Sequence, residues 1–539
     1  MSNKTLFASA KPSRKSVRKD VPVATAKNNA GGLAYQLADK EALAQFVVAG
    51  FLGGTYYTSA QDELKNVLAY AGKCSPEFVA KAAIYSRAFG KMKDMPPLLL
   101  AHLSTRGTEG TALVRKIFNR VINNTKTLRN FFQIIRSGQV GRKNFGTALR
   151  DCMSNWLSRK TEDYLFDGSV GNDPTLGDVI KLSHIKPNGK TRENFHNYLM
   201  GREYALELLP ERVRNYEAFK KGEYKETPQV PFDFLTSLSL TDEQWKDIAR
   251  NAPWNMTRMN LNTFARHNVL KDKELVRLIA GRLRDPELVA KFNVFPYQLM
   301  TVLNNVGSDI PHEIKEALQD ALDLSINNVP SFEEDVAVCI DVSGSMSSQP
   351  VTGNRGTATT QIKCIDVAAL ITASILRKNK GAKIVPFDGG PHVCELNGRD
   401  SVWTNAKKLR AYGGGATNCS SALKYINDNK WNPNLVIFVS DNESWVDRPY
   451  WNFHQSRNSQ GTPLMEEFSR LRKARSDAKM VCIDLAANAT SQAPTRENVL
   501  NVGGYSDAVF DAVENWSQGN GDFVKVIEQI DLDSTPERV

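Results

Sequence analysis

The stretch that most constrains this chain is DVAVCIDVSGSM, Asp335 to Met346. Val336 to Ile340 is an unbroken apolar run rich in β-branched residues, preceded by Glu333, Glu334 and Asp335. Such a run suits a strand covered on both faces, as at the centre of a parallel sheet. It ends in Asp341, Ser343 and Ser345, with Gly344 opening a tight turn, so one carboxylate and two hydroxyls alternate along the backbone. That spacing aims three small oxygen ligands at one point. Hard oxygen donors with few charges and no nearby His or Cys suit Mg²⁺, which takes one or two carboxylates and keeps its waters. Taken alone, a Ser or Asp in this position is equally an ordinary helix N-cap.

Two later stretches favour the metal. Gly413-Gly-Gly-Ala-Thr417-Asn418 is a glycine-rich loop able to bring a threonine hydroxyl to the same place. Leu435 to Ser440 is a second buried-strand pattern, and it also runs into an aspartate, Asp441. In open α/β sheets, ligands collect outside the carboxyl ends of the strands. The set Asp341, Ser343, Ser345, Thr417 and Asp441 is the metal-ion-dependent adhesion site pattern, and residues 331–539 resemble a doubly wound α/β von Willebrand factor A domain. The resemblance implies Mg²⁺ or another divalent cation as cofactor. It also implies an open coordination position for a partner's carboxylate or for water, which makes the site a docking point. Asn418 stands where the pattern often has Asp; this removes a charge beside the ion but no ligand.

Charge divides the chain in two. The net charge is +10. Residues from 331 onward hold 22 Lys+Arg against 25 Asp+Glu, whereas residues 1–330 hold 47 against 34, a net of +13. A basic half joined to a near-neutral metal-binding half points to a polyanionic partner for the first half. The seven cysteines are scattered without CxxC pairs, as expected of buried reduced thiols in a cytoplasmic protein rather than of an extracellular receptor. No apolar run approaches a membrane span, and no membrane partner is expected. Residues 1–30 carry seven Lys/Arg, one acid and two prolines, the composition of a flexible basic arm.

From residue 31 to 330 amphipathic helices follow one another. Ser75-Pro76-Glu77 is an N-cap followed by an N1 proline. Thr241-Asp-Glu-Gln244 is a capping box before Trp245, Ile248 and Ala249. Asp285-Pro, Phe295-Pro and Ile310-Pro each precede a further helix. Short loops and almost no strand pattern indicate stacked helix pairs, a HEAT-like all-α solenoid. Basic residues cluster between these helices. Arg136, Arg142 and Lys143 lie on or beside a glycine-punctuated loop; Lys181 and His184 are three apart on a helix that Lys186 and Pro187 end; Arg258, Arg266 and His267 lie in one run. A lone histidine after an apolar turn is most often structural.

DVIKLSHIKP, RMNLNTFARHNVL and FPYQL resemble the TROVE module shared by telomerase, Ro and vault proteins. A TROVE module followed directly by an adhesion-site A domain resembles the Ro autoantigen family, and its bacterial members in particular. The resemblance covers nearly everything after residue 30. It implies a ring of helical repeats, 31–330, closed by the A domain, with Y-like small RNA on a basic outer surface and single-stranded 3′ ends of misfolded RNA in a central hole. His184 falls where the family has an RNA-contacting histidine. Asp163 to Asp173 instead holds acids and glycines where relatives carry basic RNA-contacting residues, so whether this segment contacts RNA is left open by the resemblance.

No Ser/His/Asp or Cys/His set converges near the adhesion motif, and two aspartates are few carboxylates for a metal nuclease. The expectation is a non-enzymatic RNA-binding scaffold, a monomer within a ribonucleoprotein, with RNA tethering it to an exoribonuclease for RNA quality control. The competing class is a metal-dependent protein-interaction module whose basic half contacts a membrane or an acidic protein.

Overall fold

The computed structural model describes residues 21–534 apart from 51, 54, 172, 293–295, 327–328, 333–334, 352–361, 447–460, 487, 507 and 520. Helix follows helix from Asp39–Ala49 to His312–Ser325. Local sequence sets their starts. The Ser75 hydroxyl accepts from Phe78 N at 3.3 Å, and Thr241 and Gln244 cap each other's backbone; each such cap is worth about 1 kcal/mol. The packing is that of stacked hairpins. Pro76–Ala88 touches Met95–Leu103 and Gly107–Val121; Met95–Leu103 in turn touches Thr125–Ser137, and Gly107–Val121 touches Gly146–Ser158.

The second half is built on strands β3 (Val336–Asp341), β4 (Lys383–Phe387), β5 (Leu435–Ser440), β6 (Lys479–Asp484) and β8 (Val499–Gly503), following two N-terminal strands, β1 (Ala26–Lys27) and β2 (Leu33–Gln36), with β7 (Thr490–Ser491) before β8. The five form one parallel sheet in the order β4-β3-β5-β6-β8. Every residue of β3 is buried, because alternate side chains feed two cores: Val336, Val338 and Ile340 one, Ala337 and Cys339 the other. The strand order reverses direction between β3 and β5, which is where open sheets place their ligands. The chain thus has the expected class, a helical region followed by a doubly wound α/β domain.

The α/β domain touches both ends of the helical half. At the start, β2 pairs antiparallel with β7, Tyr35 opposite Ser491, and Asp39–Ala49 packs on β8 and on helix Phe523–Glu528. At the far end, Pro296–Asn305 packs on Cys364–Lys378, and His312–Ser325 on Val402–Leu409. The chain closes into a circuit.

Two expectations are corrected. The flexible arm does not extend to residue 30: β1 pairs with β2, Asn28 Nδ2 donates to the Ser444 carbonyl at 2.7 Å, and Ala30 N donates to Glu443 at 3.0 Å. Gly32 makes this approach feasible, since a Cβ there would lie 2.0 Å from Ser444 O. Residues 1–20 of the expected arm lie outside the described residues. The helix expected to run to Pro187 is shorter, Leu176–Leu182, capped by Thr175; His184 follows it in the left-handed region at φ +54°. Lys181 and His184 therefore do not share a helical turn. No helix among the described residues is long and apolar enough to cross a membrane.

Candidate metal centre and basic surface

Asp341 ends β3 and Asp441 follows β5, so parallel pairing of the two strands sets their carboxylates side by side. Asp341 Oδ1 accepts from Ser343 N at 2.9 Å and Oδ2 from the Ser440 hydroxyl at 2.6 Å. The Ser343 and Ser345 hydroxyls are 3.1 Å apart, and Ser345 also hydrogen-bonds the Asp441 carboxylate. The glycine loop is stitched to this turn by Gly344 N to Gly415 O and Gly414 N to Val342 O, both 2.9 Å. Gly413 has φ +89°, and a Cβ there would meet Val342 O at 1.8 Å, so only glycine allows the approach. This seats Thr417, 1% exposed, whose carbonyl accepts from Trp445 N. All five expected ligand residues are buried.

The electrostatics leave a deficit of positive charge. Burial, and then the Asp441 charge, push the Asp341 carboxyl up; burial pushes Asp441 up too. Asp441 Oδ2 is buried without a hydrogen-bond partner. Two buried carboxylates, one with an orphan oxygen, among three hydroxyl residues fit a hard divalent cation. Among the described residues no group of three or more His, Cys, Asp or Glu could hold a metal, so hydroxyls are indispensable to this set.

Sequence reasoning missed three neighbours. Glu443 is pushed up to about 7 by burial, despite accepting from Ala30 N and Asn29 Nδ2. Asp484, at the end of β6, is raised by burial and held by Asn442 Nδ2 at 3.2 Å. Tyr57, from the loop after Asp39–Ala49, hydrogen-bonds Ser345, while the adjacent Tyr56 N donates to Gln349 Oε1 at 3.1 Å. Asp484 was readable as a third aspartate ending a strand pattern. The tyrosines carry no motif, and only the tertiary fold brings them here.

The basic candidates separate into exposed and committed groups. Lys181 is exposed on helix Leu176–Leu182, and His184 and Lys186 are exposed on the loop after it, while Arg136 is exposed on the neighbouring helix. The Asp178 carboxyl is held down first by its hydrogen bonds with Thr175, then by the Lys181 and Arg136 charges. Lys143 and Arg266 are exposed as well. Arg142 is spent on the carbonyls of Ser104, Asn144 and Phe145 at 2.5–2.8 Å. Arg258 is buried over the Trp254 ring, donates to Gln298 O, and is pushed down to about 10 by burial. His267 stacks on Trp245 at 4.2 Å. Side chains held in this way brace the helices.

Comparison with known proteins follows the same division. The family model of the Ro60 vWA domain matches residues 336–517. RNA-binding protein RO60 of Deinococcus radiodurans is 21% identical over 526 residues, which is 92% of this chain and 95% of the relative. The crystal structure of the Deinococcus radiodurans RO (RSR) protein superposes with a TM-score of 0.60 at 16% identity, covering 90% of this chain and 100% of that one. Residues 336–517 thus match a Ro60 vWA domain, and the chain as a whole shares its fold, a helical N-terminal region followed by that domain, with the Deinococcus radiodurans RO protein.

Proposed function

We propose that this chain is a non-enzymatic RNA-binding scaffold, with a divalent cation at the Asp341 centre. The observation that carries the reading is the exposed set Arg136, Lys181, His184 and Lys186, gathered on neighbouring elements of a half with net charge +13. Cations on helix ends and loops bind phosphates through counterion release, with little sequence readout. Structured Y-like RNA lies across this surface, and single-stranded 3′ ends of misfolded RNA enter the opening enclosed by the circuit. An exoribonuclease partner, tethered by the RNA, acts on what is held. His184, placed outside the helix by its left-handed backbone, presents its ring to the RNA.

Asp341, Ser343, Ser345, Thr417 and Asp441 hold the cation, Mg²⁺ being the natural fit. When bound, it supplies charge that neutralises the two carboxylates. Ser440 orients Asp341, and Ser343 and Ser345 hold the turn. Tyr57 brings the helical half to the same point, so the centre ties the two halves together as well as serving as a docking site.

The test is competition binding at one fixed salt concentration, with a stem-loop RNA, a blunt duplex and the same duplex bearing a 3′ single-stranded tail. The tailed duplex should bind more tightly than the blunt one, and the RNA should be recovered intact. His184→Ser should weaken the stem-loop more than the tailed strand. Equal affinity for tailed and blunt duplexes removes threading, and RNA loss removes the non-enzymatic reading.

A further inference from the structure

A groove of about 350 Å³ runs between the end of helix Gly146–Ser158, the loop after Leu176–Leu182 and helix Lys190–Leu199. Arg159, Lys160, Glu162, Lys186, Arg192 and His196 contribute to its lining. Its charge is unbalanced. Arg192 is paired with Glu162 at 3.0 Å and also donates to the Leu157 and Lys160 carbonyls. Arg159 and Lys186 are exposed, and neither side chain has a hydrogen bond or ion pair among the described residues. The Lys160 ammonium is held over the Trp156 and Tyr164 rings, 5.2 and 4.9 Å from their centroids. Three cations thus face the opening against one already neutralised carboxylate.

The second observation concerns His196. It is 3% exposed, yet neither Nδ1 nor Nε2 has a hydrogen-bond partner. Buried polar atoms are almost always satisfied, and leaving one unpaired costs about 1–3 kcal/mol. Burial and the neighbouring Arg192 charge push the His196 imidazole down to about 4, so near neutrality it offers one N–H donor and one lone-pair acceptor. An inorganic phosphate, rich in acceptors, would leave the acceptor nitrogen poorly served. A nucleotide matches all of it: a phosphate for the cationic rim, and a base edge or ribose hydroxyl with both donor and acceptor for the imidazole. The volume is in the range of small-ligand sites.

We infer that this groove holds one unpaired nucleotide of a bound RNA, its phosphate on Arg159 and Lys186 and its base or ribose on His196. The inference rests on the RNA-binding reading and adds to it a place where a strand is pinned one residue at a time, rather than along a phosphate track. It predicts a preference for single strands that a purely electrostatic surface lacks, since a paired base cannot enter.

The test uses the full chain and a short single-stranded oligouridylate carrying 4-thiouridine. After irradiation, crosslinks should map to peptides within residues 154–162 and 185–196. Arg159→Glu with Lys186→Glu, both surface changes, should lower oligouridylate affinity more than tenfold and abolish those crosslinks. His196→Phe should lower oligouridylate affinity severalfold and leave blunt-duplex affinity unchanged; should it fail to fold by circular dichroism, the charge-reversal pair decides. Free uridine 5′-monophosphate, added as competitor, should displace the crosslink, whereas inorganic phosphate should do so only weakly. Wild-type RNA binding with crosslinks elsewhere, and full affinity in the charge-reversal pair, would overturn the groove and leave the RNA-binding reading standing. No RNA binding by the wild type would overturn both.

Discussion

The Tyr57 hydroxyl, carried by the helical half, hydrogen-bonds the side chain of Ser345 in the metal-site turn of the α/β domain. The two residues are far apart in sequence, and the bond makes ligand orientation in one half depend on loop placement in the other. Tyr57→Phe removes the hydroxyl and keeps the ring. Such a bond has a net worth of about 1 kcal/mol, or roughly fivefold in an equilibrium. Mg²⁺ affinity measured by calorimetry should fall by about that factor, and an unchanged value would separate the loop from the metal centre.

At the centre itself, Asp341→Ala should abolish Mg²⁺ binding; because the helical core is continuous with the β3 face that carries Asp341, helical content by circular dichroism should be checked alongside. The wild type should melt at higher temperature as Mg²⁺ is raised: a ligand at a hundredfold excess over its Kd adds about 2.7 kcal/mol to the native state. Asp341→Ala should show no Mg²⁺-dependent shift in a thermal scan. A shift of the wild-type size in the variant would place the cation elsewhere.

Arg142 and Lys143 are neighbours with opposite assignments. Arg142 satisfies three carbonyls. Arg142→Ala should therefore cost stability, about 2–4 kcal/mol by the usual worth of three hydrogen bonds, as read by urea denaturation. Lys143 is exposed, and Lys143→Glu should leave stability within about 0.5 kcal/mol. The same change should weaken RNA binding and make the log–log salt slope shallower by about 0.7 to 0.9 for each phosphate that the protein no longer neutralises. RNA affinity that does not vary with salt would end the basic-surface proposal.

His196 gives a pH signature. Its folded pKa is about 4 against an ordinary 6.5, so between these values the unfolded chain binds the extra proton and the folded chain does not. Stability from this residue is complete above pH 6.5 and is lost as pH falls toward 4, a swing of about 3 kcal/mol. His196→Phe cannot titrate, and its unfolding free energy should lack that portion of the slope over the window. A variant slope identical to that of the wild type would mean that His196 is protonated in the fold.

Much of the α/β half could be read from local sequence, because β3 and β5 announce themselves as apolar runs ending in aspartate and the glycines of 413–415 mark a close approach. Helix starts were readable wherever a cap residue chose the backbone conformation, as at Ser75 and Thr241. Helix ends were less so. Leu182 ends its helix two residues before His184 turns left-handed, and Pro187 further on gave the wrong stop. The basic residues were the hardest to sort. Arg142, Arg258 and Arg136 look alike in sequence, and only packing decides that the first two serve carbonyls and an indole ring while the third stays exposed. Tyr57, Glu443 and Asn29 were invisible for the same reason: their roles lie in contacts between distant segments.

The pairing of β2 with β7 also dictates an order of events during synthesis. Leu33–Gln36 leaves the ribosome early, but its partner Thr490–Ser491 is not made until more than four hundred residues later. Until then β2 has only the two-residue β1 beside it, too little for a stable ribbon. The helical hairpins, whose contacts are local, can form as they emerge, whereas the seam that shuts the circuit must wait for the last strands. A nascent chain therefore passes through an open form with a bare strand edge at its N-terminal end, and a truncation before residue 490 would be held in that form.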